Sequence, residues 1–129
     1  DLDYLLIGSD QMWNYTFERY FSPRVFADFS EKHRKVTLSV SIGIDKVPDK
    51  NTEEYKTFDE HLKKIDYLSV REDSAKRIVK EISGRDDVTV LIDPTMMLDE
   101  REWEKSALKR VNWAKGTVCW RSETITAPS

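Results

Sequence analysis

The sequence predicts an α/β fold, a Rossmann-like three-layer sandwich with a mostly parallel sheet. Two observations lead there. Apolar stretches recur at Asp3–Ile7, Val36–Val40, Tyr67–Val70 and Val88–Ile92, and each ends in a small, polar or charged cluster. The clusters are Gly8-Ser9-Asp10-Gln11, Ser41-Ile42-Gly43, Arg71-Glu72-Asp73 and Asp93-Pro94-Thr95. Two of the three intervening gaps carry an amphipathic helix. Strand, polar loop and helix in alternation build parallel strands whose carboxyl-end loops open at one edge. Ligands of such sheets bind in the crevice outside those carboxyl ends.

Each element has its own signal. Asp3–Ile7 is short and apolar and stops at a turn of Gly8, Ser9 and Asp10. Tyr15–Phe29 is rich in aromatic residues without a clean period, which predicts an ordered loop with one short helix packing rings over the sheet edge. Val36–Ile42 alternates apolar and hydroxyl residues with period two, as a strand does. Asn51 offers a helix N-cap, and Glu54 three residues on completes a capping-box pattern. Tyr55, Phe58, Leu62 and Ile65 then follow at helical spacing as one buried stripe.

Tyr67–Val70 is the third strand. Asp73 or Ser74 caps the next helix, whose core stripe is Ala75, Ile78, Val79 and Ile82, and Gly84 sits where that helix ends. The continuous apolar run Val88–Ile92 predicts a central strand covered on both faces, stopped by Pro94. Asp99 with Glu102 forms a further cap pair, and Trp103, Ala107, Leu108 and Val111 define a last helix. After Val111 no strand or helix period remains. Residues 1–111 therefore read as one partial domain, and 112–129 as an irregular tail or the start of a linker.

Bulk properties exclude several classes. A chain of 129 residues suffices for one domain with a real core. Its net charge of −3 lacks the basic excess of nucleic-acid binders. No apolar run approaches the roughly 20 residues of a membrane helix. Cys119 is the single cysteine, which rules out an intrachain disulfide and favours a reducing compartment. Because the first residues already read as a strand, the expected natural start lies upstream.

Chemistry should sit on the four strand-end clusters. Gly8, Ser9, Asp10 and Gln11 let backbone approach an anionic ligand, although the string is no dinucleotide or phosphate-loop fingerprint and also reads as a capped turn with Trp13 plugging the core. Ser41 and Gly43, with Ser39, form a small-residue strand end beside it. Arg71 is the sharpest residue. A guanidinium at the end of an apolar strand needs an anion, either a ligand or an internal partner among Glu72, Asp93 and Asp10. Asp93 reads first as a turn cap. His33 and His61 have no metal-ligand spacing partner and read as solvated surface residues, so no metal site is expected. Lys63, Lys64, Lys76, Arg77, Lys80 and Glu81 read as solvated helix faces.

Four strings together resemble the polysaccharide pyruvyl transferase family. They are Tyr4-Leu5-Leu6-Ile7-Gly8-Ser9-Asp10-Gln11-Met12-Trp13-Asn14, Ser39-Val40-Ser41-Ile42-Gly43, Tyr67-Leu68-Ser69-Val70-Arg71-Glu72, and Leu91-Ile92-Asp93-Pro94-Thr95-Met96-Met97-Leu98 followed by Trp103. They occur in the family's order at similar separations, over Asp1 to Val111.

The resemblance implies one half of a GT-B type fold, with the active site between two Rossmann-like halves. It also implies transfer of a pyruvyl group from phosphoenolpyruvate to sugar hydroxyls as a ketal, in cytoplasmic synthesis of bacterial surface polysaccharide, without a cofactor. Arg71 takes the catalytic anion-binding role in that picture. Gly8, Ser9, Asp10, Gln11, Ser41, Gly43 and Glu72 form the substrate wall. The partners implied are phosphoenolpyruvate and a sugar or polysaccharide precursor, with no nucleic acid and no membrane span, which leaves peripheral membrane association open for the parent. The family's histidine acid belongs to a second half, so the expectation is a fragment truncated at both ends and inactive alone. A nucleotide-sugar glycosyltransferase of GT-B type and a non-catalytic α/β module are the alternatives.

Overall fold

The computed structural model describes residues 3–105, 118–120 and 123–125. The chain divides into two compact units, Asp1–Pro94 and Thr95–Ser129. The first unit holds β1 (Tyr4–Ile7), β2 (Arg34–Thr37), α1 (Glu53–Leu62), β3 (Leu68–Val70), α2 (Asp73–Ser83) and β4 (Val88–Val90). β1 pairs in parallel with β2, and β3 in parallel with β4. Parallel bridges Val36↔Tyr67 and Val40↔Val70 join the two pairs, so the strands lie in chain order and all run one way. This is a small α/β unit of parallel strands and helices, as the alternating pattern predicts.

The helical stripes fold as their spacing dictates. Phe58, Leu62 and Ile65 are buried, with Tyr55 packed partly against them. On α2, Ala75, Ile78, Val79 and Ile82 are all buried, and α1 and α2 pack side by side. Gly84 ends α2 in the left-handed region at φ 73°. The α1 cap lies one residue later than the pattern suggests. Asp49 Oδ1 accepts the Asn51 N–H at 2.9 Å, and Thr52 is the N-cap, its hydroxyl accepting from Tyr55 N at 3.4 Å. Neither Asp73 nor Ser74 caps α2. Glu72 occupies the N-cap position without a side-chain cap bond, because its carboxylate is held elsewhere.

Two strands differ from expectation. β2 begins at Arg34 and ends at Thr37, because Ser39 adopts φ 50° and breaks the ladder. Hydroxyl groups replace the missing rungs. Ser69 N donates to Thr37 Oγ1 at 2.7 Å, Ser69 Oγ donates to the Thr37 carbonyl at 2.6 Å, and Ser39 N donates to Ser69 Oγ at 3.0 Å. Ser39 Oγ also reaches the Ile92 carbonyl at 2.7 Å. β4 is not a central strand covered on both faces. Among the described residues it is an edge, with Ile92 59% exposed beyond it. Tyr4 and Leu6 likewise alternate outward from β1.

The aromatic loop is ordered as expected. It carries one 3-10 turn, Pro23–Phe26, packed against α1. Trp13 is fully buried, stacks on Phe26 at 5.0 Å and meets Phe58 edge-on at 6.3 Å. Its indole N–H donates to the Val25 carbonyl at 3.1 Å. Such pairs add about 0.5–1.5 kcal/mol each beyond buried area. His61 is not a solvated surface residue. It is 6% exposed, and its ring stacks on Phe26 at 5.5 Å.

In the second unit a helix over residues 100–105 opens at Asp99, whose carboxylate accepts the Glu102 N–H at 2.9 Å as the cap pair predicts. The stripe positions Ala107, Leu108 and Val111 lie outside the described residues. Where periodicity indicates no strand, the backbone of Val118–Trp120 pairs antiparallel with Glu123–Ile125 as β5 and β6. Among the described residues no helix is long and apolar enough to cross a membrane.

Candidate functional site

The carboxyl ends of β1, β2 and β3 meet at one rim of the first unit. The loop after β1 is bolted to the segment after β2. Ser41 N donates to the Asp10 carbonyl and Trp13 N to the Ser41 carbonyl, both at 3.3 Å. The Asp10 carboxylate accepts its neighbour's Gln11 N–H at 2.8 Å. Gln11 Oε1 accepts from Asn14 Nδ2 at 3.1 Å, while Asn14 Oδ1 takes the Thr16 N–H and hydroxyl at 3.1 and 2.6 Å. Gly43 sits at φ 73°, and a Cβ there would collide with the Gln11 side chain. Glycine meets both demands without strain and without moving Gln11.

Ser41, buried at the end of the β2 segment, donates its hydroxyl to Glu72 Oε1. Glu72 Oε2 is buried and has no hydrogen-bond partner. One residue earlier, Arg71 Nη2 lies 2.9 Å from Asp93 Oδ2, with side chains 28% and 22% exposed. Arg71 Nε is also buried without a partner. The Arg71–Asp93 pair thus stands at the rim rather than sealed in the core. A guanidinium offers five donors, and this pair does not use Nε.

A cavity of 330 Å³ opens at this rim, lined by Gln11, Gly43, Ile44, Asp45, Glu72 and Ser74. It gathers Gln11, Gly43 and Glu72 of the expected wall, with Ser41 directly behind Glu72. Gly8, Ser9, Asp10 and Arg71 are not among its lining residues. Gly8 is exposed with open space where a Cβ would stand, so nothing there demands glycine. Ile44, Asp45 and Ser74 were not legible as site residues. Asp45 is fixed by Arg77, which donates to its carbonyl at 3.0 Å and pairs with its carboxylate. Their separation of 32 residues leaves no local sequence signal.

The cavity walls carry two carboxylates, Asp45 and Glu72, and hydrogen-bonding amide and hydroxyl groups. That composition suits a neutral, hydroxyl-rich ligand. The guanidinium beside it suits an anion. Among the described residues no group of three or more His, Cys, Asp or Glu is placed to hold a metal ion.

The chain is an α/β unit of parallel strands, the architecture in which ligands bind outside the carboxyl ends of the strands. The family model described as polysaccharide pyruvyl transferase matches residues 1–126, and the chain belongs to that family. No curated protein and no solved structure matches it.

Proposed function

We propose that the chain contributes to a transferase that moves the pyruvyl group of phosphoenolpyruvate onto sugar hydroxyls as a ketal, in cytoplasmic synthesis of bacterial surface polysaccharide. Family membership supports the transfer and the polysaccharide. One observation supports this rim as the place: Arg71, with its buried Nε unpartnered, adjoins Glu72, whose free Oε2 backs a cavity lined by hydrogen-bonding groups. The wider architecture proposed is half of a GT-B type fold.

In this reading Arg71 holds the anionic end of the donor and stabilises phosphate as it leaves. A general acid protonates the methylene carbon of the enol, leaving an oxocarbenium-like centre. A sugar hydroxyl attacks that centre and loses its proton. The C–O bond to phosphate breaks, and a second hydroxyl closes the ring. Glu72 accepts a hydrogen bond from an acceptor hydroxyl, and Gly8 through Gln11, Ser41 and Gly43 form the adjoining wall.

Calorimetric titration of phosphoenolpyruvate into the intact protein and its Arg71→Ala and Arg71→Lys variants tests the assignment. Arg71→Ala should weaken binding at least tenfold, with Lys restoring part of it. Undiminished binding in Arg71→Ala removes Arg71 from the site. Release of phosphate from phosphoenolpyruvate, set against turnover of nucleotide sugars, separates pyruvyl transfer from glycosyl transfer.

A further inference from the structure

The opposite rim of the same sheet carries a second, chemically different cavity. It measures 390 Å³ and lies at the amino ends of β2 and β3, where four cations, Lys32, Arg34, Lys35 and Lys64, line it with His33 and the carboxylates Glu31 and Asp66. Lys35 is the unusual member. It is 4% exposed, yet its ammonium has no ion pair or hydrogen bond among the described residues. Its burial is that of the stem, since the ammonium is not among the buried unpartnered atoms, as when a lysine extends its tip toward solvent. Lys35 lines this cavity.

The surrounding contacts explain why Lys35 stays unpaired. Asp66, one of the two lining carboxylates, spends Oδ2 on the Lys35 backbone N–H at 2.7 Å. Asp66 N and Tyr67 N in turn donate to the Lys35 carbonyl at 2.9 and 3.3 Å, so the backbone position is fixed from both sides. Lys64 is already paired with Glu60 at 2.8 Å. His33 Nδ1 is engaged with the Ser30 hydroxyl at 2.6 Å. Lys32 and Arg34 are exposed and, like Lys35, form no ion pair among the described residues. Lys32, Arg34, Lys35 and Lys64 therefore outnumber the two lining carboxylates, Glu31 and Asp66, and the first three have no ion-pair partner among the described residues, in a chain whose net charge is −3.

We infer that this cavity is an anion site, separate from the carboxyl-rim site, that takes a phosphate or diphosphate group. Its size falls in the range of small-ligand sites. Arg34 offers a planar fork to phosphate oxygens, and Lys32 and Lys35 add point charges from either side. The phosphate belongs either to a soluble phosphorylated compound or to a lipid headgroup. The chemistry recognised is the same.

Two arms test it with the intact protein. Inorganic pyrophosphate is titrated calorimetrically, and in parallel the protein is sedimented with vesicles of phosphatidylglycerol and phosphatidylcholine. Lys35→Met keeps the buried stem and removes the charge, so its thermal midpoint should hold or rise while anion binding falls at least tenfold. Arg34→Gln, on an exposed position, should weaken binding several-fold and serves if the Lys35 variant misfolds. Arg71→Ala should leave the Lys35-dependent part of pyrophosphate binding unchanged. Binding of pyrophosphate that depends on Lys35 or Arg34 supports the site with a soluble ligand. Dependence seen only with vesicles supports it with a lipid source. Absence of binding in both arms overturns the inference, as does binding indifferent to Lys35 and Arg34, or loss of the Lys35-dependent binding in Arg71→Ala.

Discussion

Arg71 and Asp93 meet at 2.9 Å across the ends of β3 and β4, each about a quarter exposed. The pair places a carboxylate against the guanidinium proposed to hold the donor, and the two anions then compete for it. Asp93→Asn keeps the size and hydrogen-bonding capacity of the side chain and deletes the charge. Partly exposed pairs are worth at most about 1 kcal/mol, so the stability loss should stay below that. Phosphoenolpyruvate should bind several-fold more tightly, the change expected when about 1 kcal/mol of repulsion is removed. Calorimetry on the variant decides the sign. Weaker binding would show that Asp93 orients Arg71 for the donor instead of screening it.

Gly43 and Gly84 share φ 73° but differ in surroundings. Alanine at Gly84 meets nothing within 4 Å and should cost only the left-handed strain, about 1–2 kcal/mol. At Gly43 the same methyl group also strikes the Gln11 side chain, so Gly43→Ala should cost more and distort the rim cavity. Adding Gln11→Ala to Gly43→Ala should recover the excess and leave the strain. Urea denaturation of the three variants gives the comparison. Equal losses at both glycines, with no recovery, would remove the clash from the account.

What the sequence made legible was decided by how local each signal is. The α2 stripe Ala75, Ile78, Val79 and Ile82 is a property of one helix, and it is buried as its spacing demands. Arg71 stood out because a charge closes an apolar strand, but choosing Asp93 over Glu72 as its partner needed the register of β3 and β4. The β2 alternation misled because Thr37 and Ser39 look like ordinary period-two strand residues. Their hydroxyls instead substitute for ladder bonds around a positive φ, and a period cannot show that. His61 could have been found, since it follows Phe58 by three residues and so shares the stripe with Leu62 and Ile65. Neighbouring Glu60 and Lys63 disguised it as part of a polar face. The Lys35 cavity was hidden in the charged string from Glu31 to Lys35, where only burial separates one lysine from the rest.

His61 makes stability sensitive to mild acid. Burial is the main reason its pKa lies below the usual 6.5, with Lys64 and Lys35 opposing protonation and Glu60 and Asp28 favouring it. Nδ1 is buried without a partner, so no acceptor is in place for a second proton. The unfolded chain therefore binds a proton at higher pH than the folded one. Stability is full above about pH 6.5 and falls as pH drops through 6.5 toward the lower folded value. His61→Phe keeps a ring against Phe26 and removes the titration. Urea midpoints at about pH 7.5 and 5.5 should differ more for the wild type than for His61→Phe. Identical pH dependence in the two proteins would mean that His61 does not titrate against folding.

Arg85 closes the carboxyl end of α1 from a distant part of the chain. Its Nη1 donates at 2.8 Å to the carbonyl of Leu62, the last residue of α1, which also accepts the Ile65 N–H at 3.4 Å, and at 2.6 Å to the carbonyl of Ile65 just beyond the helix. Asp87 aligns the guanidinium through two bonds, at 2.9 and 2.6 Å. That contact raises the pKa of Arg85 and lowers that of Asp87. The Arg85 side chain is 16% exposed, whereas that of Asp87 is 65% exposed, so the two residues should contribute unequally. Arg85→Met retains the stem and strands the Ile65 carbonyl, leaving Leu62 with its bond from the Ile65 N–H, which should cost about 1–3 kcal/mol. Asp87→Asn loses only an exposed pair and should cost under about 1 kcal/mol. Amide exchange localises the effect: Arg85→Met should speed exchange in the last turn of α1 while α2 stays protected. Acceleration confined to the loop around Arg85 would show that the carbonyls are satisfied by water instead.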